Sequence, residues 1–163
     1  FDHVRTRVAI WQNPWDSPQG SGYQIIQSLI SIASGGLTGM GLGLGSPDIV
    51  PVAESDFIFS AIGEELGMLG CLAVLILLTA IIVRCLMVAK NARNTIESCV
   101  CVGVAAVLIF QTISNVGMCL FVMPVVGLTL PFFSYGGTAL SIQLAEMGIV
   151  LSVSRQMKPT KAG

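Results

Sequence analysis

Charge is what this sequence has least of. Only 10% of its 163 residues are Asp, Glu, Lys or Arg, and 9 acidic against 8 basic side chains leave a formal net charge of −1. Soluble domains carry roughly 25%. So little charge excludes a disordered segment, a polybasic tail and a nucleic-acid-binding arm, each of which depends on solvated or phosphate-seeking charge. Histidine occurs once, at His3, and the five cysteines (Cys71, Cys85, Cys99, Cys101, Cys119) form no C-x-x-C pair. Neither a His/Cys metal cage nor a redox motif is available. The cysteines lie in or beside apolar runs and read as packing or lipid-facing residues. The opening, Phe1-Asp2-His3-Val4-Arg5, has no initiator Met and no apolar signal segment. The sequence is therefore expected to be the C-terminal piece of a longer protein.

Apolar residues, by contrast, come in unbroken runs. They make up 53% of the chain, and mean hydropathy is +0.82. A soluble core needs apolar stripes rather than runs. Leu66 to Val83 carries no charge between Glu65 and Arg84. As a helix those residues extend about 27 Å, enough with a lead-in from Phe57 to cross a bilayer. Ser98 to Ala145 is a second charge-free run of 48 residues, too long for one span and sufficient for two, with Pro124, Gly127 and Pro131 marking the break. The expected fold class is an all-α polytopic membrane protein. Its three transmembrane helices fall at about 57–88, 98–121 and 137–154, after a large extracytoplasmic loop over 1–55. Arg84, Lys90 and Arg93 follow the first span and Arg155, Lys158 and Lys161 the last, while the loop between the last two spans has no basic residue. The positive-inside rule makes that link and the C-terminal tail cytoplasmic and turns 1–56 and 119–136 outward. Arg5 and Arg7 run mildly against it.

Within the first 55 residues, Ile25, Ile26, Leu29 and Ile32 recur at helical spacing and predict an amphipathic helix from Tyr23 to Ala33. Six glycines then fall within Gly35–Gly45. A dinucleotide loop is excluded, because the G-x-G-x-x-G register from Gly39 meets Leu44 and no strand pattern precedes it. Tight turns and close packing are the expected use, with anion binding by backbone N–H nests as the alternative.

Four of the nine acids, Glu54, Asp56, Glu64 and Glu65, cluster within twelve residues where the first span begins. Ser55 or Asp56 can cap that helix; ionisable groups at such a depth are also costly and tend to be functional. Glu64 lies about 80° round the helix from Asp56, so the two can line one cleft. Gln111 and Asn115 share a face at i, i+4, as interhelical glue or as the lining of a polar cavity. Glu146 interrupts the last span and is protonated, paired or turned to water. Gly136 and Gly137 open that span, and a β-branched residue at either is expected to impair function more than one at Thr129.

Together these residues resemble a known family. Asn13-Pro14-Trp15, Gly20-Ser21-Gly22-Tyr23-Gln24, the glycine run to Gly45 and Glu54-Ser55-Asp56-Phe57-Ile58-Phe59 with Glu64-Glu65-Leu66-Gly67 are similar to SEDS proteins. This is the shape, elongation, division and sporulation family of FtsW, RodA and SpoVE. Asn115-Val116-Gly117-Met118, Pro124, Gly127, Leu130-Pro131-Phe132 and Ser134-Tyr135-Gly136-Gly137-Thr138 agree. The resemblance implies the last three helices of a ten-helix bundle in the bacterial cytoplasmic membrane. It also implies a peptidoglycan glycosyltransferase that polymerises lipid II, working with a class B penicillin-binding protein. The family's essential acid corresponds to Asp56, and Glu54, Glu64, Gln111, Asn115, Ser134 and Tyr135 are expected around the substrate. Val52-Ala53 before Glu54, and Glu146, depart from the family pattern.

Chain extension needs a base for the acceptor sugar hydroxyl and positive charge for the undecaprenyl diphosphate that leaves. Asp56 suits the first task. Arg5 and Arg7 are the basic residues on the outward side, and a carboxylate-bound Mg²⁺ or Mn²⁺ is the alternative for the second. Nucleic acid is not an expected partner; membrane lipid is. Two other classes compete: a flippase for lipid-linked oligosaccharide, and a non-catalytic scaffold for the penicillin-binding protein.

Overall fold

The computed structural model describes residues 2–16, 22–45 and 55–156, with the side chains of residues 2–4 and 16 left out. Among these residues there is no strand. The elements are α1 (Asp2–Gln12), a 3-10 turn at Pro14–Asp16, α2 (Tyr23–Gly35), α3 (Ile58–Lys90), α4 (Thr95–Cys119) and α5 (Gly137–Gln156). The last three are long and apolar enough to cross a membrane, extending about 50, 37 and 30 Å. The α3–α4 link is a tight polar turn. Asn91 Nδ2 donates to the Met87 carbonyl at 3.0 Å, and Asn94 Nδ2 to Glu97 Oε1 at 3.1 Å.

Two features depart from the sequence reading. Residues read as the start of a loop form α1, whose apolar and polar residues show no clear stripe and so gave no helical signal. More consequentially, α3 is not one straight helix. Gly67 lies inside it at φ 67°, ψ −167°, a conformation that L side chains avoid.

A break at membrane depth frees backbone groups that lipid cannot satisfy, and the glycine-rich segment after α2 satisfies them. Met40 N–H donates to the Glu64 carbonyl at 2.9 Å and Gly41 N–H to that of Glu65 at 3.0 Å. In return Met68 N–H reaches the Gly36 carbonyl at 3.0 Å and Leu69 N–H the Leu37 carbonyl at 3.2 Å. The two backbones touch. A Cβ on Gly39 (φ +80°) would stand 2.1 Å from the Glu65 carbonyl oxygen, and one on Gly35 would overlap the carbonyl of Gly63. The expected close packing is thus a four-bond backbone stitch between two segments.

Two apolar clusters hold the helices. One gathers Phe57, Phe59, Val74, Leu78, Met118, Cys119 and Leu130, towards the Asp56 end. The other joins Cys85, Ala89, Cys101, Val104, Ala105, Leu108, Val150 and Val153 towards the opposite end. Cys85, Cys101 and Cys119 are buried packing residues, whereas Cys99 is exposed. At the far end α3 and α5 line a 690 Å³ largely apolar crevice between Leu77–Asn91 and Met147–Ser154. Ser28 on α2 hydrogen-bonds the Ser60 hydroxyl on α3 and donates to the Cys119 carbonyl at 3.1 Å. That junction fixes the Asp56 end.

Candidate functional site

Asp56 precedes α3, and the residue that caps the helix is Phe57, with no side-chain cap bond. The backbone carbonyl of Asp56 accepts from Asn115 Nδ2 at 2.8 Å and from the Cys119 thiol at 4.0 Å. Its carboxylate enters no hydrogen bond or ion pair among the described residues. The capping role open to Asp56 in the sequence is therefore not the one it takes. Carboxylate Oδ2 instead lies 3.4 Å from where a Cβ on Gly127 would stand. Gly127 is at φ +73°, so the position favours glycine in conformation, while a Cβ there would make ordinary contact with the carboxylate.

Gly127 sits in the connection 120–136, which has no regular structure over most of its length yet is held along it by side chains. Trp11 Nε1 donates to the Phe121 carbonyl at 3.2 Å, and Arg7 Nη1 to that of Val125 at 3.0 Å. Asn115 Nδ2 reaches Leu128 at 2.7 Å. Ser134 Oγ accepts from Leu130 N–H at 2.7 Å, and Gln143 Oε1 from Phe132 N–H at 2.9 Å. Two of the residues so held, Phe121 at φ 62° and Phe132 at φ 64°, adopt left-handed backbone geometry. For a bulky residue that costs about 1–3 kcal/mol and persists only where neighbours over-determine it. The bonds from Trp11 and Gln143 fall on these two residues.

The expected site residues divide accordingly. Glu54 lies outside the described residues. Asp56 and Asn115 meet, through the Asp56 backbone. Glu64 is buried, but its carboxyl carbon is 3.3 Å from a Cβ position on Gly45, so it faces the glycine segment while Asp56 faces the 120–136 connection. Asn115 is completely buried with both amide hydrogens committed to carbonyls. Gln111 turns to α5, where its Oε1 accepts from Gln143 Nε2 at 3.4 Å. Ser134 closes a turn; Tyr135 is 79% exposed and available to a ligand. Gly136 and Gly137 have ordinary φ, the nearest neighbour of a Cβ at Gly136 is Ala139 at 3.5 Å, and Gly137 has none within 4 Å. The demand for glycine expected there falls on Gly127 instead.

Sequence reasoning missed Gln143, Trp11 and the anchoring role of Arg7. A glutamine inside an apolar run was the available signal for the first; the other two lie more than a hundred residues from their partners and left no local trace. Glu146 is half-buried, and its Oε2 has no partner among the described residues. No group of three or more His, Cys, Asp or Glu that could hold a metal ion occurs among them.

Three helices long and apolar enough to cross a membrane define a multi-pass membrane protein. The chain belongs to the FtsW/RodA/SpoVE family of cell cycle proteins, whose pattern matches residues 2–159. It is 44% identical to peptidoglycan glycosyltransferase RodA of Mycobacterium tuberculosis, over 94% of this chain and 33% of that protein. It is 41% identical to stage V sporulation protein E of Bacillus subtilis, over 91% and 41%. A probable peptidoglycan glycosyltransferase FtsW of Geobacter metallireducens is 38% identical over 98% and 43%. Among solved structures, a peptidoglycan synthase complex described as coordinating polymerization and crosslinking superposes with a TM-score of 0.76 at 34% identity. That match covers 95% of this chain and 42% of the other. The chain thus spans about a third to two fifths of the relatives it matches.

Proposed function

We propose that this chain is part of a bacterial peptidoglycan glycosyltransferase that polymerises lipid II at the outer face of the cytoplasmic membrane, alongside a class B penicillin-binding protein. The relatives' activity supports the reaction class. The observation that carries the site is the carboxylate of Asp56, which makes no hydrogen bond among the described residues and lies beside Gly127 on a pinned connection. In this reading Asp56 takes the proton of the acceptor sugar hydroxyl, and that oxygen attacks the anomeric carbon of the donor. The bond from that carbon to the diphosphate oxygen breaks, and undecaprenyl diphosphate leaves with the electron pair. An activated leaving group needs no second acid, unlike glycoside hydrolysis. Positive charge for the diphosphate comes from Arg7, whose guanidinium is held at Val125, two residues from Gly127. Tyr135 and the acids Glu54 and Glu64 are the remaining candidates for substrate contact.

The orientation belongs to the same proposal. Residues 84–97 and 155–163 are cytoplasmic, and 1–56 and 122–136 are outside. In the full-length protein stripped of native thiols, a cysteine at Asn91 resists impermeant maleimide in intact cells and one at Thr38 reacts. The reverse pattern moves the site to the wrong face.

The activity is tested with purified full-length protein, its penicillin-binding partner and lipid II in detergent, where no membrane has to be crossed. Glycan strands on a gel are the expected result. Absence of strands, together with lipid II translocation in liposomes, would favour the transporter.

A further inference from the structure

Asn115 does something for Asp56 that neither its burial nor its place on a helix face requires. The planar amide has two N–H groups splayed in one fork, and each is spent on a backbone carbonyl from a different part of the chain. One goes to Asp56 at 2.8 Å and the other to Leu128 at 2.7 Å. Its Oδ1 lies 3.9 Å from the Cys119 sulfur, one turn along α4, whose single weak S–H donor is shared between this oxygen and the Asp56 carbonyl. The residue carrying the carboxylate and the residue following Gly127 are therefore held to the same nitrogen. Asp56 Oδ2 faces Gly127, so the amide fixes the distance between the acid and the surface it faces.

We infer that Asn115 is a positioning residue for Asp56: one amide joins the start of α3 to the 127–128 backbone and holds the carboxylate where the acceptor hydroxyl arrives. A generic interhelical bond would need only one of the two contacts. Here α4 serves as a post, and the two irregular segments that form the site are tied to it rather than to each other. The inference rests on the reading of Asp56 as the base. A displacement of about 1 Å in a reacting group can cost on the order of a hundredfold in rate.

The test uses the full-length protein with its partner and lipid II. Asn115→Ala is expected to lower kcat about thirtyfold or more with KM for lipid II within about twofold, since substrate binding is untouched. In an Asp56→Glu background, where the carboxylate is already displaced, Asn115→Ala should cost much less than it does alone. Hydrogen exchange of peptides over 122–130 should accelerate in Asn115→Ala, with peptides over 70–80 unchanged. Asn115→Ser, whose hydroxyl is too short to reach the two carbonyls, should behave as Asn115→Ala does, and the unchanged exchange over 70–80 shows that either variant is folded. Normal kcat in Asn115→Ala, a fully multiplicative loss with Asp56→Glu, or unchanged exchange over 122–130 would each overturn the inference. Failure of the base reading looks different: Asp56→Asn would then stay active, whereas failure of the positioning role leaves Asp56→Asn inactive and Asn115→Ala normal.

Discussion

Helical order is interrupted at Gly67 within α3 and between α4 and α5, and the two interruptions are mended by different chemistry. At Gly67 the repair is backbone to backbone. Four N–H and carbonyl groups are exchanged with residues 36–41, and side chains are kept out because the two chains are in contact. Between α4 and α5 the repair is side chain to backbone, from Trp11, Arg7, Asn115, Ser134 and Gln143. A backbone repair tolerates no atom at the contact but specifies no chemistry. A side-chain repair leaves the peptide path free to bend, even into left-handed geometry at Phe121 and Phe132, and that is where the acid is found.

The contrast can be broken at the stitch first. Gly39→Val should abolish recovery of monodisperse protein in fluorescence-detected size exclusion, because its Cβ would fall inside the Glu65 carbonyl. Losses above about 4–5 kcal/mol are typical of such overlaps with strain. Gly43→Val provides the control. Gly43 is also left-handed (φ +73°), but no atom lies within 4 Å of its Cβ position. It should cost only the conformational penalty of about 1–2 kcal/mol. Equal losses at both would mean that torsion rather than contact governs the stitch.

The connection should answer differently. Gly127→Val is expected to leave folded protein yet lower polymerisation at least about tenfold, by strain and by crowding Asp56 Oδ2. Gly136→Val should stay near normal. A smaller effect is expected from Gln143→Leu, which takes the acceptor from Phe132 N–H and leaves a left-handed residue unsupported. Its cost should be about 1–3 kcal/mol, read as a lowered thermal midpoint with kcat little changed. Cys99→Ser, on an exposed helical position outside both repairs, should change neither readout measurably.

Much of the helical architecture was legible because lipid imposes a simple rule: long charge-free runs between charged flanks. The glycine run was legible as a place of close packing. Its partner was not, since Gly67 stands in an apolar run like other glycines of membrane helices, and only the pairing of 36–41 with 64–69 gives it a meaning. At the site, Asp56 stood out as an acid at a span's entrance within a recognisable motif. Asn115 was visible as a polar residue on one face with Gln111, as interhelical glue or the lining of a polar cavity. The structure sends Asn115 to two carbonyls and Gln111 to Gln143. Helical spacing says which residues share a face, not whether each reaches across it to the same neighbour. Bonds such as Trp11 to Phe121 cross more than a hundred residues and have no periodic signature at all.

The central claim is that the carboxylate of Asp56 is the base, and one substitution addresses it with little else disturbed. Asp56→Asn preserves size and the backbone carbonyl that Asn115 holds, and replaces the proton-accepting anion with a neutral amide. The full-length variant is expected to insert, to bind its penicillin-binding partner as the wild type does, and to form no glycan strands from purified lipid II in detergent. Near-normal strand formation by Asp56→Asn under those conditions would contradict the account.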